Sequence, residues 1–245
     1  MKKRFTLILF FFLVNSVLFW AGAARGNTLY LPFINKDCHD PVILAVGDSI
    51  TYGTFTSSNG PATAYPRFLE LKLEQNYPRN FTVINQGVGG DRSIEVWNRI
   101  AGLLDAYHPD LVLLMIGTND FLSGAEDAIV FSNLEWYLRR TIEIIQGRGV
   151  KMILATNPPV DWNRRPGQSN RVANFHSWYF AYASFYQIPL ADVFSSFMAV
   201  PNWVDVLMYP DPDDGVHPID AGQQVIRDAF YNQLVPLLDR RGCFR

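Results

Sequence analysis

The chain has 245 residues, of which 49% are hydrophobic, 14% aromatic and 18% charged, fractions that suit a domain with a sizeable core and exclude a disordered tail. With 21 basic residues against 23 acidic it has no basic field to hold nucleic acid by counterion release, so nucleic acid is not an expected partner. Its two cysteines, Cys38 and Cys243, lie near opposite ends, which excludes a Cys-rich metal module or a disulfide-dense miniprotein.

The first elements along the chain concern targeting. Lys2, Lys3 and Arg4 precede an apolar run from Phe5 to Trp20, and Ala21-Gly22-Ala23-Ala24 supplies the small residues that signal peptidase accepts. Residues 1–23 are read as a signal peptide and 24–40 as an arm leading into a domain at 41–245. Export is expected, secreted or periplasmic, with an uncleaved N-terminal anchor as the alternative. Past this segment no run reaches the roughly 18 apolar residues that a bilayer span needs.

The rest alternates between two patterns. Residues 41–46 (PVILAV) form a continuous apolar run stopped by Gly47, as in a strand buried on both faces of a parallel sheet. Similar runs occupy 81–84, 111–116, 150–155 and, more weakly, 188–193. Amphipathic stretches at 64–75, 93–107, 126–148, 170–186 and 219–240 read as helices between and after them. Five such strand-helix units predict one doubly wound α/β domain. The irregular stretch 157–169 (NPPVDWNRRPGQS) reads equally as a surface loop or as a substrate-contacting lid.

Ligands of such sheets bind at the carboxyl ends of the strands, and four polar blocks fall there. They are Gly47-Asp48-Ser49-Ile50-Thr51-Tyr52-Gly53, Asn85-Gln86-Gly87-Val88-Gly89-Gly90-Asp91-Arg92-Ser93, Gly117-Thr118-Asn119-Asp120 and Asp213-Asp214-Gly215-Val216-His217-Pro218. Of the four histidines, His39 and His108 precede strands and belong to the opposite edge, and His176 lies inside a helix. Only His217 reaches the functional rim. Asp214, three residues earlier, can turn back to accept its Nδ1 proton, with Asp213 and Asp211 as less naturally spaced rivals.

Ser49, where the first strand ends, is the best placed nucleophile, ahead of Thr51 and Ser93; an N-capping serine is its plain structural alternative. The Ser49 N–H, the Gly90 N–H and the Asn119 amide are candidate donors to an oxyanion, though Gly89-Gly90 and Asn119 also suit ordinary turns. The G-x-S-x-G nucleophile elbow is absent. G-x-G-x-x-G fails because Arg92 stands where the last glycine is needed. No metal is expected, since no second histidine or cysteine joins His217 on the rim, and no cofactor.

These four blocks, in this order, resemble those of the SGNH (GDSL-type) hydrolase family over about residues 41–238, with Ile50 in place of the leucine of the family's name. The resemblance implies a flavodoxin-like three-layer α/β/α sandwich with a five-stranded parallel sheet. It also implies Ser49 as nucleophile, Asp214 and His217 as the other triad members, and Gly90 and Asn119 with the Ser49 N–H in the oxyanion hole, Gly89 remaining an alternative to Gly90. The expectation is an exported serine esterase acting on a small-molecule carboxylic ester, short-chain or acetyl and carried by a carbohydrate in one version. Trp162, Trp178 and Trp203 would then offer faces to sugar rings, or simply fill the core. A lysophospholipase, other lipid esterase or thioesterase is the alternative, and from another class a noncatalytic ligand-binding module on the same fold. Export also places both cysteines in an oxidising compartment, and an edge shared by the domain's two ends predicts a Cys38 to Cys243 disulfide.

Overall fold

The computed structural model describes residues 38–245; the segment 1–23 read as a signal peptide and residues 24–37 of the arm lie outside the described residues. Five parallel strands form the sheet: β1 (Val42–Gly47), β2 (Thr82–Gly87), β3 (Leu111–Met115), β4 (Lys151–Ala155) and β5 (Leu190–Ala191). Their order is β2-β1-β3-β4-β5. Crossovers therefore run one way from β1 to β2 and the other way from β1 onward through β3, which makes the carboxyl end of β1 the switch point where such sheets open a crevice.

Alternation along β1 separates two cores. Ile43 and Ala45 pack with Tyr65, Leu69 and Leu73 of α2 (Tyr65–Asn76) and with Ile226, Phe230 and Leu234 of α9 (Asp220–Leu234). Leu44 and Val46 point the other way, into a core shared with α3 (Ser93–Tyr107), α5 (Asp127–Gly147) and α6 (Pro166–Phe185). Successive strand side chains face opposite sides of a sheet, so a run apolar at every position demands helices on both faces. This is the three-layer α/β/α sandwich expected from the sequence.

Several boundaries differ from the sequence reading. β2 continues through Asn85, Gln86 and Gly87, held in parallel register with Ala45, Val46 and Gly47, although these residues read as the start of a polar loop. β5 shrinks to Leu190–Ala191. α6 starts at Pro166, with proline in its first turn, and takes over the end of the stretch read as irregular. α9 stops at Leu234; a 3-10 turn, Val235–Leu237, follows, and Leu238 then bridges to Phe244. Four short helices were not expected: α1 (Ser49–Tyr52), α4 (Thr118–Leu122), α7 (Val193–Met198) and α8 (Trp203–Leu207).

Cys38 and Cys243 are joined by a disulfide with their Cα atoms 5.9 Å apart, tying the segment that leads into β1 to the tail. His39, on the same edge, pairs with Asp110 at 2.8 Å. Among the described residues no helix is long and apolar enough to cross a membrane.

Candidate active site

The register of the central strands levels the first three polar blocks. Gly47 pairs with Gly87 on one side and with Met115 on the other, so the turns leaving β1, β2 and β3 emerge side by side. At the end of β1 the chain goes straight into a helical turn. Asp48 is its N-cap, accepting from the Ile50 N–H at 2.9 Å, and Ser49 is the first helical residue rather than the capping one. The Ser49 N–H thus stands in the first turn, where a helix offers its amides no backbone acceptor.

Ser49 Oγ lies 2.9 Å from His217 Nε2. On the far side of the ring, His217 Nδ1 lies 2.6 Å from Asp214 Oδ1. The other oxygen of that carboxylate accepts the backbone N–H groups of Val216 at 3.0 Å and His217 at 2.8 Å, so Asp214 is built into the turn that carries the histidine. Gly215 makes the turn feasible: its φ is +70°, and a Cβ there would come 2.9 Å from the Arg164 side chain. Asp213 contributes its backbone carbonyl to Arg165, and Asp211 caps the start of the same turn. A hydroxyl, an imidazole and a carboxylate in this sequence can pass a proton from Oγ to Nε2 while the carboxylate fixes the tautomer and steadies the imidazolium.

Burial tends to raise the Asp214 carboxyl, but the hydrogen bonds from the His217 ring and from the His217 and Val216 amides outweigh it and hold the carboxyl below its usual range. Asp48 is the opposite case. Its full burial, only partly offset by the Ile50 N–H and the proximity of His217, pushes its carboxyl up from 3.8 to about 6.

Gly90 lies in the exposed turn after β2 with φ +85°, a left-handed conformation that Gly89 does not share. Asn119, in the first turn of α4, donates from Nδ2 to the backbone carbonyl of Asp91 at 2.8 Å, which brings the third block to the residue after Gly90. Asp120, buried beside it, accepts from both the Ser93 N–H and the Ser93 hydroxyl. Ser93 is thereby engaged in joining α3 to α4, and Thr51 is buried under Tyr65.

Some contributors were not read from the sequence. Arg99 of α3 donates to Asp91 and to the carbonyls of Gly47 and Gln86, pinning the ends of β1 and β2 to the glycine turn. Residues 157–161 are buried, and the segment that follows braces the histidine turn. The Asp161 N–H reaches the Gly215 carbonyl, while Arg165 donates to the carbonyls of Asp213 and Asp214. That stretch is therefore neither a plain surface loop nor an open lid.

The three tryptophans separate. Trp203 is buried in the core, Trp178 packs on Phe175 and Tyr182, and Trp162 is 50% exposed with its ring 6.3 Å from Trp203. His176 pairs with Asp192 instead of joining the site.

Residues 45–225 match the model of the GDSL-like lipase/acylhydrolase family. The chain is 26% identical over 199 residues to the thioesterase 1/protease 1/lysophospholipase L1 of Escherichia coli strain K12, covering 80% of this chain and 85% of that protein. It is 27% identical over 195 residues to an arylesterase of Vibrio mimicus, covering 79% and 88%. Its fold resembles that of an acetylxylan esterase from Geobacillus stearothermophilus with a TM-score of 0.62 at 20% identity, over 79% of this chain and 93% of the other.

Proposed function

The chain belongs to the GDSL-like lipase/acylhydrolase family, a family of ester-bond hydrolases, and from that premise we propose that it is an exported serine esterase working through Ser49, His217 and Asp214. The observation that carries this reading is the pair of contacts on either side of one imidazole, 2.9 Å to Ser49 Oγ and 2.6 Å to Asp214 Oδ1.

In the proposed reaction His217 Nε2 removes the hydroxyl proton as Ser49 Oγ attacks the ester carbonyl. In this reading the developing oxyanion is met by the Ser49 and Gly90 N–H groups and the Asn119 side-chain amide. Collapse of the tetrahedral intermediate breaks the bond to the alcohol oxygen, which takes the proton back from Nε2. A water activated by the same nitrogen then hydrolyses the acyl-enzyme. The ionised Asp214 carboxylate supports the imidazolium in both halves.

For substrate we infer a short-chain or acetyl ester, carried by a carbohydrate in one version, a reading supported by the acetylxylan esterase named among the similar structures. Lysophospholipids and thioesters are the second reading, favoured by the name of the Escherichia coli relative. Export is supported by the cationic, apolar and small-residue succession at the N-terminus and by the disulfide, a bond that persists in oxidising compartments. The test is a chain-length series of p-nitrophenyl esters, followed by acetylated xylo-oligosaccharides, lysophospholipids and an acyl thioester, each with wild type and Ser49→Ala. Ser49-dependent turnover that falls as the acyl chain lengthens is expected. Turnover confined to long-chain lipids or thioesters would favour the second reading, and turnover that survives Ser49→Ala would end both.

A further inference from the structure

Phe55 is a bulky residue held against its own backbone preference and left 39% exposed beside the histidine. Its φ is +61°, in the left-handed region that a side chain of this size seldom occupies. The conformation is imposed by a network. The Phe55 N–H donates to Asn59 Oδ1 at 2.9 Å, and Ser57 gives both its N–H and its hydroxyl to Asp220 at the start of α9, 2.8 and 2.6 Å away. Thr56 returns its hydroxyl to the Gly53 carbonyl at 2.7 Å. Local strain maintained by so many bonds calls for a function.

The ring stacks on Tyr209 with centroids 4.4 Å apart and planes 11° from parallel, and it meets the His217 ring edge-on at 5.1 Å. Tyr209 is fixed in turn, its N–H on the His217 carbonyl at 2.8 Å and its carbonyl on Arg164 at 3.0 Å. The stacked pair is thus part of the wall that carries the histidine. In acyl transfer the alcohol oxygen must face the nitrogen that reprotonates it, whereas the oxyanion turns to its own donors. Groups packed on the histidine therefore border the alcohol part of the ester.

Resting on the serine-esterase reading, we propose that Phe55, seated on Tyr209, is the specificity platform for the leaving alcohol, and that it selects alcohols bearing a ring with an apolar face. Aromatic rings and pyranose rings share that face; straight-chain alcohols lack it. The energy of offset stacking amounts to a discrimination of up to about tenfold.

The experiment holds the acyl group constant as acetate and varies the alcohol: ethyl, benzyl and a mono-acetylated methyl xylopyranoside. Wild type is compared with Phe55→Ala, Phe55→Leu, which keeps bulk without a flat face, and Phe55→Tyr, which keeps both. We expect kcat/KM for at least one ring ester to fall about tenfold further than for ethyl acetate in the first two variants, with Phe55→Tyr restoring the ratio. The ring ester that moves identifies the source, aryl or sugar. Acetate, butyrate and hexanoate esters of ethanol should keep their relative rates. An equal loss on ethyl and ring esters, or a changed acyl preference, would overturn the platform. A phosphonate that labels Ser49 in all four proteins keeps that failure apart from failure of the esterase reading, in which wild type would neither be labelled nor hydrolyse any of the esters.

Discussion

Asp48 and Asp214 stand on either side of the Ser49 and His217 pair, and their surroundings move them in opposite directions. The Asp48 carboxyl is raised from 3.8 to about 6 by burial, so below the unfolded value both states hold the proton and nothing is lost. Above about pH 4 the unfolded chain ionises while the native carboxyl keeps its proton, so stability falls as pH rises until the native group too ionises near 6, by about 3 kcal/mol in all. Asp48→Asn keeps an oxygen for the Ile50 N–H and removes the titration. The difference in unfolding free energy between variant and wild type, from urea curves, should therefore shift in favour of the variant between pH 4 and 7; a difference independent of pH would contradict the burial argument. Asp214 has the reverse sign, its lowered pKa contributing stability that is present at neutral pH and lost only as pH falls through the folded value. Asn119 differs again: its amide donates to the Asp91 carbonyl, and in the proposed reaction the same amide also meets the oxyanion. Asn119→Ala should cost about 3 kcal/mol of transition-state stabilisation, roughly two orders of magnitude in kcat. A raised KM with unchanged kcat would make Asn119 a ground-state contact instead.

Elements long enough to repeat a pattern were legible, and those that depend on a few residues were not. The run 41–46 announced β1 because a strand covered on both faces is apolar throughout, and α3 appeared where expected, Ser93–Tyr107, because three turns of one buried face repeat. α1 and α4 have four and five residues, too few for a helical period, yet they carry Ser49 and Asn119. The polar end of β2 hid its strand character: Asn85 uses its amide to reach the Thr51 carbonyl and its oxygen to accept the Gly87 N–H, bonds that composition cannot display. The bracing stretch after β4 was illegible for the same reason, since Arg165 acts through carbonyls 48 and 49 positions away. If that brace positions the histidine turn, Arg165→Ala should lower kcat about tenfold with KM little altered, as expected when a catalytic group loses its orientation. A variant with wild-type kcat would show the turn to be rigid without it.

At the scale of the whole molecule, the disulfide closes nearly the entire domain, with a sequence separation of 205. Restricting so long a loop in the unfolded chain stabilises by up to about 5 kcal/mol in the chain-entropy model. The bond lies beside the amino end of β1, whereas Ser49 follows its carboxyl end. Reduction should then lower Tm, read by thermal unfolding with and without reductant, while turnover below the new Tm stays near that of the oxidised protein. Both the site and this bond follow from topology, in that β1 at the switch point sends Ser49 to one edge of the sheet and leaves Cys38 at the other. The resemblance of four blocks named the residues that the fold gathers, but not the clasp of Asp214 on two backbone amides or the aromatic wall behind His217, which depend on pairings distant in sequence. The central claim is that His217 activates Ser49. Its most direct test is a fluorophosphonate reacted with the intact protein and mapped by peptide mass spectrometry, in wild type and His217→Ala. One adduct, on Ser49, is expected in wild type and almost none in the variant; an adduct on another residue, or equal labelling of Ser49 without the histidine, would contradict activation by His217.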